Sequence, residues 1–204
     1  MKKYLVLFCH CLFLFSCSQN KNNGNATAVN DTTKTPATTE NTSFIPVTSI
    51  LQSELNKLDS VQVTILQITT VNNKQDSAWL PADKVKPKLE GFLFPVIDDK
   101  TMAALFKETT FNDEGTEAVT FMYDPKTTLP DSMTLRRWDV YFDPNRNKIR
   151  RVYMVKQVKE NNILATQQFT WQTGKWAKIV TINNDKNAVN PVINEIKWIW
   201  DLSE

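Results

Sequence analysis

The chain of 204 residues contains 24 lysines and arginines against 22 aspartates and glutamates, and 41% of its residues are hydrophobic. This near balance of charge argues against nucleic acid as a partner, because binding to phosphates requires an excess of positive charge. The chain also contains one histidine and three cysteines, and their positions decide which kinds of chemistry are excluded.

The first residues have the pattern of a secretion signal. Lys2 and Lys3 form a positively charged start, and residues 4–15 form an apolar run. This run has the length of the apolar part of a secretory signal, and it is shorter than the about 20 residues that a transmembrane helix needs. The sequence therefore predicts a signal peptide over residues 1–16.

A lipidation motif ends this segment. Leu14-Phe15-Ser16-Cys17 resembles the lipobox of bacterial lipoproteins, in which a small residue precedes a cysteine that is diacylated on its sulfur before cleavage. The resemblance implies that Cys17 becomes the first residue of the mature protein and holds it on a membrane through lipid. Ser18 and the absence of an acidic run nearby resemble lipoproteins that stay at the outer membrane and face the periplasm. The alternative is an ordinary signal peptide that is cut elsewhere, with Cys17 incidental.

Removal of the signal peptide would leave a chain with little reactive chemistry. His10, Cys9 and Cys11 lie in the removed segment, so the mature chain would hold no histidine and Cys17 alone. Ser-His-Asp and Cys-His hydrolysis and most zinc sites are then excluded, and one acylated cysteine gives no disulfide framework. We therefore expect no enzyme activity, no cofactor and no metal site, although paired carboxylates could still support glycosidase chemistry.

Residues 17–43 are expected to be the lipidated cysteine followed by a disordered tether. Asparagine and threonine dominate the segment, and Val29 is its only large apolar residue. Such a composition cannot bury enough apolar surface to offset the entropy lost on ordering. A flexible chain of this length reaches roughly 25–30 Å, which would hold a domain just clear of a membrane surface.

Residues 44–204 are expected to form a single globular domain, because the length suits one core and all six tryptophans lie there. A strand rich in β-branched residues is predicted over 61–71. A helical segment is predicted after Pro81, and a short one that carries Met102, Leu105 and Phe106 is predicted after Asp99 or Thr101. An earlier helix is predicted over 47–59, with apolar residues on one stripe at Ile50, Leu51, Leu55 and Leu58.

The second half of the domain has the pattern of consecutive strands joined by short turns, which predicts an antiparallel meander. Segment 192–200 fits either a strand or a helix, and we favour a terminal strand because Trp198, Ile199 and Trp200 are strand formers. The predicted fold class is α+β, with an antiparallel meander sheet of about five to seven strands packed against N-terminal helices. The other predicted strands cover 117–125, 134–144, 148–158, 163–172 and 175–183.

One hairpin can be predicted residue by residue. In the sequence WQTGKW, Thr173-Gly174 fits a two-residue turn, which would place Trp171 opposite Trp176 on one face. Such a pair could be a ligand platform, but we interpret it as a cross-strand contact that stabilises the hairpin.

A polar face is predicted on two neighbouring strands. If Val140 lies opposite Val152, the residues that alternate with them share the other face, and a shift of one residue would reassign the second strand. This face could bind a carboxylate, a glycan or a protein partner, or it could be an ordinary solvated surface. Its predicted members are Arg137, Asp139, Tyr141, Arg151 and Tyr153.

The lipobox, the Asn/Thr-rich tether and the Trp-rich meander together resemble small uncharacterised lipoproteins of Bacteroidota. The resemblance implies a location in the cell envelope and no specific activity. We expect a non-enzymatic binding or scaffold protein, anchored to the membrane through Cys17, with an envelope protein as its partner. The alternative is a carrier of a lipid or another apolar ligand inside a curved sheet. An apolar cavity would favour the carrier, and a filled core would favour the binding protein.

Overall fold

The fold is that of a computed structural model, which describes residues 44–61, 63–113, 115, 118–160, 163–183 and 192–201. The predicted signal peptide, Cys17 and the predicted tether all lie outside the described residues. The described ranges belong to the part of the chain that was predicted to be the globular domain.

The described residues form a nine-stranded antiparallel sheet with a few helices, in the order β2-β1-β9-β8-β7-β6-β5-β4-β3. The helices are α1 (Val47–Ser60), α2 (Ala82–Leu89), a 3-10 helix (Glu90–Leu93) and α3 (Asp99–Met102). The strands are β1 (Thr64–Val71), β2 (Lys74–Pro81), β3 (Phe106–Asp113), β4 (Ala118–Pro125), β5 (Leu135–Asp143), β6 (Lys148–Glu160), β7 (Ile163–Gln172), β8 (Trp176–Asn183) and β9 (Val192–Ile199).

This architecture confirms an antiparallel sheet with helices, including the terminal strand, but the predicted number of strands was wrong. The prediction missed β2 and β3, which lie at the two edges of the sheet. Strand β2 is exposed at every position except Leu80, so it lacks the alternation that marks a half-buried strand. Its signal was the turn Asn72-Asn73, where both residues have positive φ, as a two-residue hairpin turn of type I′ requires.

The predicted position of the helices was also wrong in part. Among the described helices, only α1 precedes the sheet, whereas α2, the 3-10 helix and α3 lie in the chain between β2 and β3. The helical segment predicted to continue through Leu105 and Phe106 ends at Met102, and Phe106 begins β3.

The core is aromatic and lies between the helices and one face of the sheet. Tyr123 stacks on Trp138 with 4.4 Å between ring centroids and an angle of 9° between the planes. Phe92 of the 3-10 helix meets Trp171 edge to face at 5.3 Å. Trp138, Trp171 and Trp198 are each no more than 1% exposed, so large rings fill the space beneath the helices.

One buried cation links the helical region to the sheet. Lys156 of β6 is 4% exposed, and its Nζ donates hydrogen bonds to the carbonyl oxygens of Gly91 and Phe94. The same ammonium lies 4.1 Å from the centre of the Phe169 ring. Loss of hydration lowers the pKa of Lys156 to about 8, because burial disfavours the charged form.

Helix α1 holds the turn between β7 and β8. The Glu54 carboxylate accepts a hydrogen bond from the backbone N–H of Gly174 at 3.1 Å and contacts Lys57 Nζ at 2.9 Å. The carbonyl oxygen of Lys175 accepts a hydrogen bond from the N–H of Trp200 at 2.9 Å. These bonds fix the start of β8 and therefore the position of Trp176.

The burial of Lys156 predicts a pH dependence of stability. Below pH 8 the lysine is charged in both the folded and the unfolded chain, and folding then includes the cost of burying the charge. As the pH rises above 8, the folded chain releases the proton while the unfolded chain keeps it, so the free energy of unfolding rises. Between pH 7 and 9.5 this contribution amounts to at most about 2 kcal/mol.

The measurement is urea unfolding of the wild-type protein and of Lys156→Met at several pH values. The wild type is expected to gain stability relative to Lys156→Met as the pH rises, and the same comparison with Lys84→Met, at an exposed lysine of α2, controls for general effects of charge. A difference between wild type and Lys156→Met that stays constant from pH 7 to 9.5 would contradict the prediction.

Candidate functional site

The sheet has a second face, opposite the helices, which we call the open face. Residues alternate between the two sides along each strand, so the neighbours of buried core residues point outward here. Outward residues that lie opposite each other on neighbouring strands form rows across the sheet. One such row runs Tyr141, Arg151, Gln172, Trp176, Ile199, Leu66 and Trp79.

The predicted register of β5 and β6 is confirmed. Val140 lies opposite Val152, and both are fully buried. Asp139 therefore pairs with Tyr153, and Tyr141 pairs with Arg151, on the open face. Arg137 lies opposite Val155 in the same unbroken register, and the pairing becomes irregular only between Arg137 and Leu135.

The open face contains a depression of about 330 Å³, which we call the open-face depression. Three of the predicted residues, Tyr141, Arg151 and Tyr153, are part of its lining. Among the described residues, the lining consists of Tyr141, Arg151, Tyr153, Gln168, Thr170, Trp176, Lys178 and Val180, contributed by β5, β6, β7 and β8.

The other two predicted residues form an ion pair outside this lining. Arg137 Nη2 donates to both carboxylate oxygens of Asp139, at 2.9 and 3.1 Å. The carboxylate side chain is 8% exposed, whereas the arginine side chain is 41% exposed. The hydrogen bond to Asp139 raises the pKa of Arg137 above its usual value. Both oxygens of the Asp139 carboxylate are therefore already bound to Arg137.

Two cations lie over aromatic rings on the open face. The Arg151 guanidinium lies 4.9 Å from the centre of the Tyr141 ring, and Lys197 Nζ lies 4.9 Å from the Trp176 ring. Such contacts contribute about 0.5–1 kcal/mol at exposed sites. Lys178 Nζ contacts the Glu195 carboxylate at 3.3 Å.

Trp176 was expected to pair with Trp171, and that expectation was wrong. Gln172 lies opposite Trp176, and Trp171 lies opposite Ala177. The loop therefore contains three residues rather than two, with Gly174 at φ 71° and a hydrogen bond from Lys175 N–H to the Gln172 carbonyl. The extra residue sends the two indoles to opposite faces, so Trp171 is buried and Trp176 lines the depression.

The sequence prediction missed the lining residues of β7 and β8. Gln168 and Thr170 occur in a polar strand segment with no distinctive motif, and Lys178 and Val180 lie in a strand that was predicted correctly. Their signal was alternation with the core residues Phe169 and Ala177. Placing the residues of β8 on the same face as those of β7 also required the correct length of the loop between the two strands.

The lining can bind a ligand through several kinds of contact. Burial raises the pKa of Tyr153, so its hydroxyl is neutral near pH 7 and can both donate and accept hydrogen bonds. Gln168 and Thr170 add neutral donors and acceptors, and Arg151 offers a planar guanidinium that suits a carboxylate. The part of the lining that the structure describes includes no carboxylate, histidine or cysteine.

The described residues were compared with the patterns of a metal site and of a membrane-spanning helix. Among those residues, His, Cys, Asp and Glu form no group of three or more that could hold a metal ion. None of the described helices is long and apolar enough to cross a membrane.

A comparison with known protein families found no matching family model, and comparisons with curated proteins and with solved structures found no match.

The ion pair next to the depression generates a stability prediction. Arg137→Ala removes the hydrogen-bonding partner of an almost buried carboxylate, so we expect a loss of about 1–2 kcal/mol. Removing both partners in Arg137→Ala/Asp139→Ala should cost less than the sum of the single substitutions, because no unpaired carboxylate remains. Urea unfolding of the four proteins measures the coupling, and strictly additive losses would show that the pair makes no net contribution.

Proposed function

We propose that the protein is a lipoprotein anchored in the outer membrane through lipid on Cys17, facing the periplasm, and that it acts as a non-enzymatic binding or scaffold protein of the cell envelope. The anchor rests on the lipobox resemblance of residues 14–17 and on the apolar segment before it. The binding role rests on one observation, the open-face depression, where aromatic rings, cations and neutral polar groups converge on one side of the sheet.

The alternative role of lipid carrier has less support. A carrier needs an apolar cavity between the sheet and its helices, and this space is filled by large rings such as Trp138, Trp171 and Phe92. The open-face depression lies on the other side and is lined by Arg151, Lys178 and polar groups. A filled core and a polar depression both favour the binding protein.

Catalysis by paired carboxylates has no support from the lining either. General acid and base chemistry of the glycosidase type needs two carboxyl groups that flank the bound substrate. The carboxylates of Asp139 and Glu195, on strands that border the depression, are bound to Arg137 and Lys178. The proposed function is therefore binding without chemical conversion.

The anchor is tested by mass spectrometry of the mature N-terminus. We expect the first residue to be Cys17 carrying a diacylglyceryl group, with or without a third acyl chain. Cys17→Ser should abolish the lipid mass and release the protein from the membrane fraction. An unmodified N-terminus that begins at another residue would overturn the anchor.

The binding role is tested by cross-linking in cells that carry the full chain, followed by purification of the cross-linked species. Tyr141→Ala/Arg151→Ala should remove a specific envelope-protein adduct, because both side chains lie in the depression. Trp79→Ala/Lys84→Ala also removes one aromatic residue and one cation, at exposed positions outside the depression, and should leave the adduct unchanged. Identical adducts for all three proteins would contradict the role of this surface.

A further inference from the structure

We propose that the open-face depression binds a saccharide that carries a carboxylate group. This inference rests on the proposed binding role of the open face and deepens it, but it needs neither the lipid anchor nor a protein partner. The size, the chemistry and the charge of the lining each support it.

The size of the depression suits a small ligand. Its volume of about 330 Å³ lies at the lower end of the about 300–1,000 Å³ that is usual for small-molecule pockets. That space accommodates one or two sugar rings, and the open side of the sheet lets a longer chain continue outside it. The lining comes from four adjacent strands, and such a support is more rigid than a loop.

The lining combines the two kinds of contact that a sugar ring needs. Tyr141, Tyr153 and Trp176 present aromatic rings, whose faces are negative and attract the polarised C–H groups of a pyranose. Gln168 and Thr170 provide an amide and a hydroxyl, which can donate to and accept from sugar hydroxyls. A purely apolar ligand would leave these polar groups without partners, which is costly.

The charge of the lining indicates that the saccharide is acidic. Arg151 and Lys178 both line the depression, and none of the described lining residues carries a carboxylate. The Arg151 guanidinium lies over the Tyr141 ring, 4.9 Å from its centre, and a planar guanidinium can bind a carboxylate through two parallel hydrogen bonds. Lys178 also contacts Glu195, so we assign Arg151 as the main carboxylate contact and Lys178 as a secondary one.

The aromatic rings distinguish this ligand from an acidic peptide. An acidic side chain would satisfy Arg151, but it would place no ring on Trp176, Tyr141 or Tyr153. An acidic sugar uses both the cation and the aromatic surfaces at the same time. The experiment therefore includes an acidic peptide as a separate probe.

The test is calorimetric titration of the full chain, purified in detergent, with four probes. These are digalacturonic acid, its methyl ester, N-acetylmuramic acid and a triglutamate peptide. We expect at least one of the two acidic saccharides to bind. If digalacturonic acid is that ligand, it should bind at least tenfold more tightly than its ester, which has the same rings without the charge. The fluorescence of Trp176 should change on binding, and Trp176→Phe should remove that change.

Variants separate the two kinds of contact. Arg151→Gln should reduce the affinity for the acidic saccharide at least tenfold, because it removes the guanidinium and its charge. Trp176→Ala should weaken acidic and neutral sugars alike. Lys84→Gln, at an exposed lysine of α2, should have no effect. Far-UV circular dichroism of each variant confirms that its fold is intact.

Three results would overturn the inference. They are no saturable binding of either acidic saccharide, equal binding of triglutamate, or unchanged affinity in folded Arg151→Gln. The proposed function can fail separately. Saccharide binding without a cross-linked adduct would refute only the protein partner, whereas an adduct that depends on Tyr141 and Arg151 without saccharide binding would refute only this ligand.

Discussion

Burial of a single face of the sheet beneath the helices determines where every side chain of the central strands lies. Side chains alternate along a strand, so the fully buried pair Val140 and Val152 obliges Tyr141 and Arg151 to point outward. A slip of one residue would bring charges under the helices and put the core residues into water. The large buried rings make such a slip costly, since each side chain of this kind contributes several kcal/mol to stability. The open-face depression is therefore a consequence of the core, because the same alternation produces both.

The sequence predicted those parts of the fold in which alternation or helical periodicity is strong. Helix α1 and strands β4 to β8 have apolar residues at regular intervals, and the structure has them within a few residues of the predicted bounds. The edge strands could not be predicted in this way, because an exposed edge needs no alternation. Strand β2 is held by its pairing with β1, and only the Asn72-Asn73 turn indicated it. Tertiary pairing, rather than local preference, determines these edges.

The candidate site was predicted to a similar extent and for the same reason. Correct pairing of Val140 with Val152 brought Tyr141, Arg151 and Tyr153 together, whereas the residues of β7 and β8 depended on the length of one loop. A third loop residue reversed the expected face of Trp176 relative to Trp171, and no periodicity within either strand could reveal this. The Glu54 carboxylate that holds Gly174 comes from α1, 120 positions earlier in the chain. Local sequence patterns do not predict interactions between residues so far apart in the chain.

The position of β9 has a consequence for the order in which the sheet can assemble. This strand pairs with β1 on one side and with β8 on the other, so it joins the first hairpin to the rest of the sheet. In a nascent chain that ends before residue 192, the edge of β1 that pairs with β9 has no partner strand. The hairpin of β1 and β2 is then not joined to the strands β3 to β8. Contacts between strands so far apart in sequence also slow folding. The nine-stranded sheet is therefore complete only after β9 has been made.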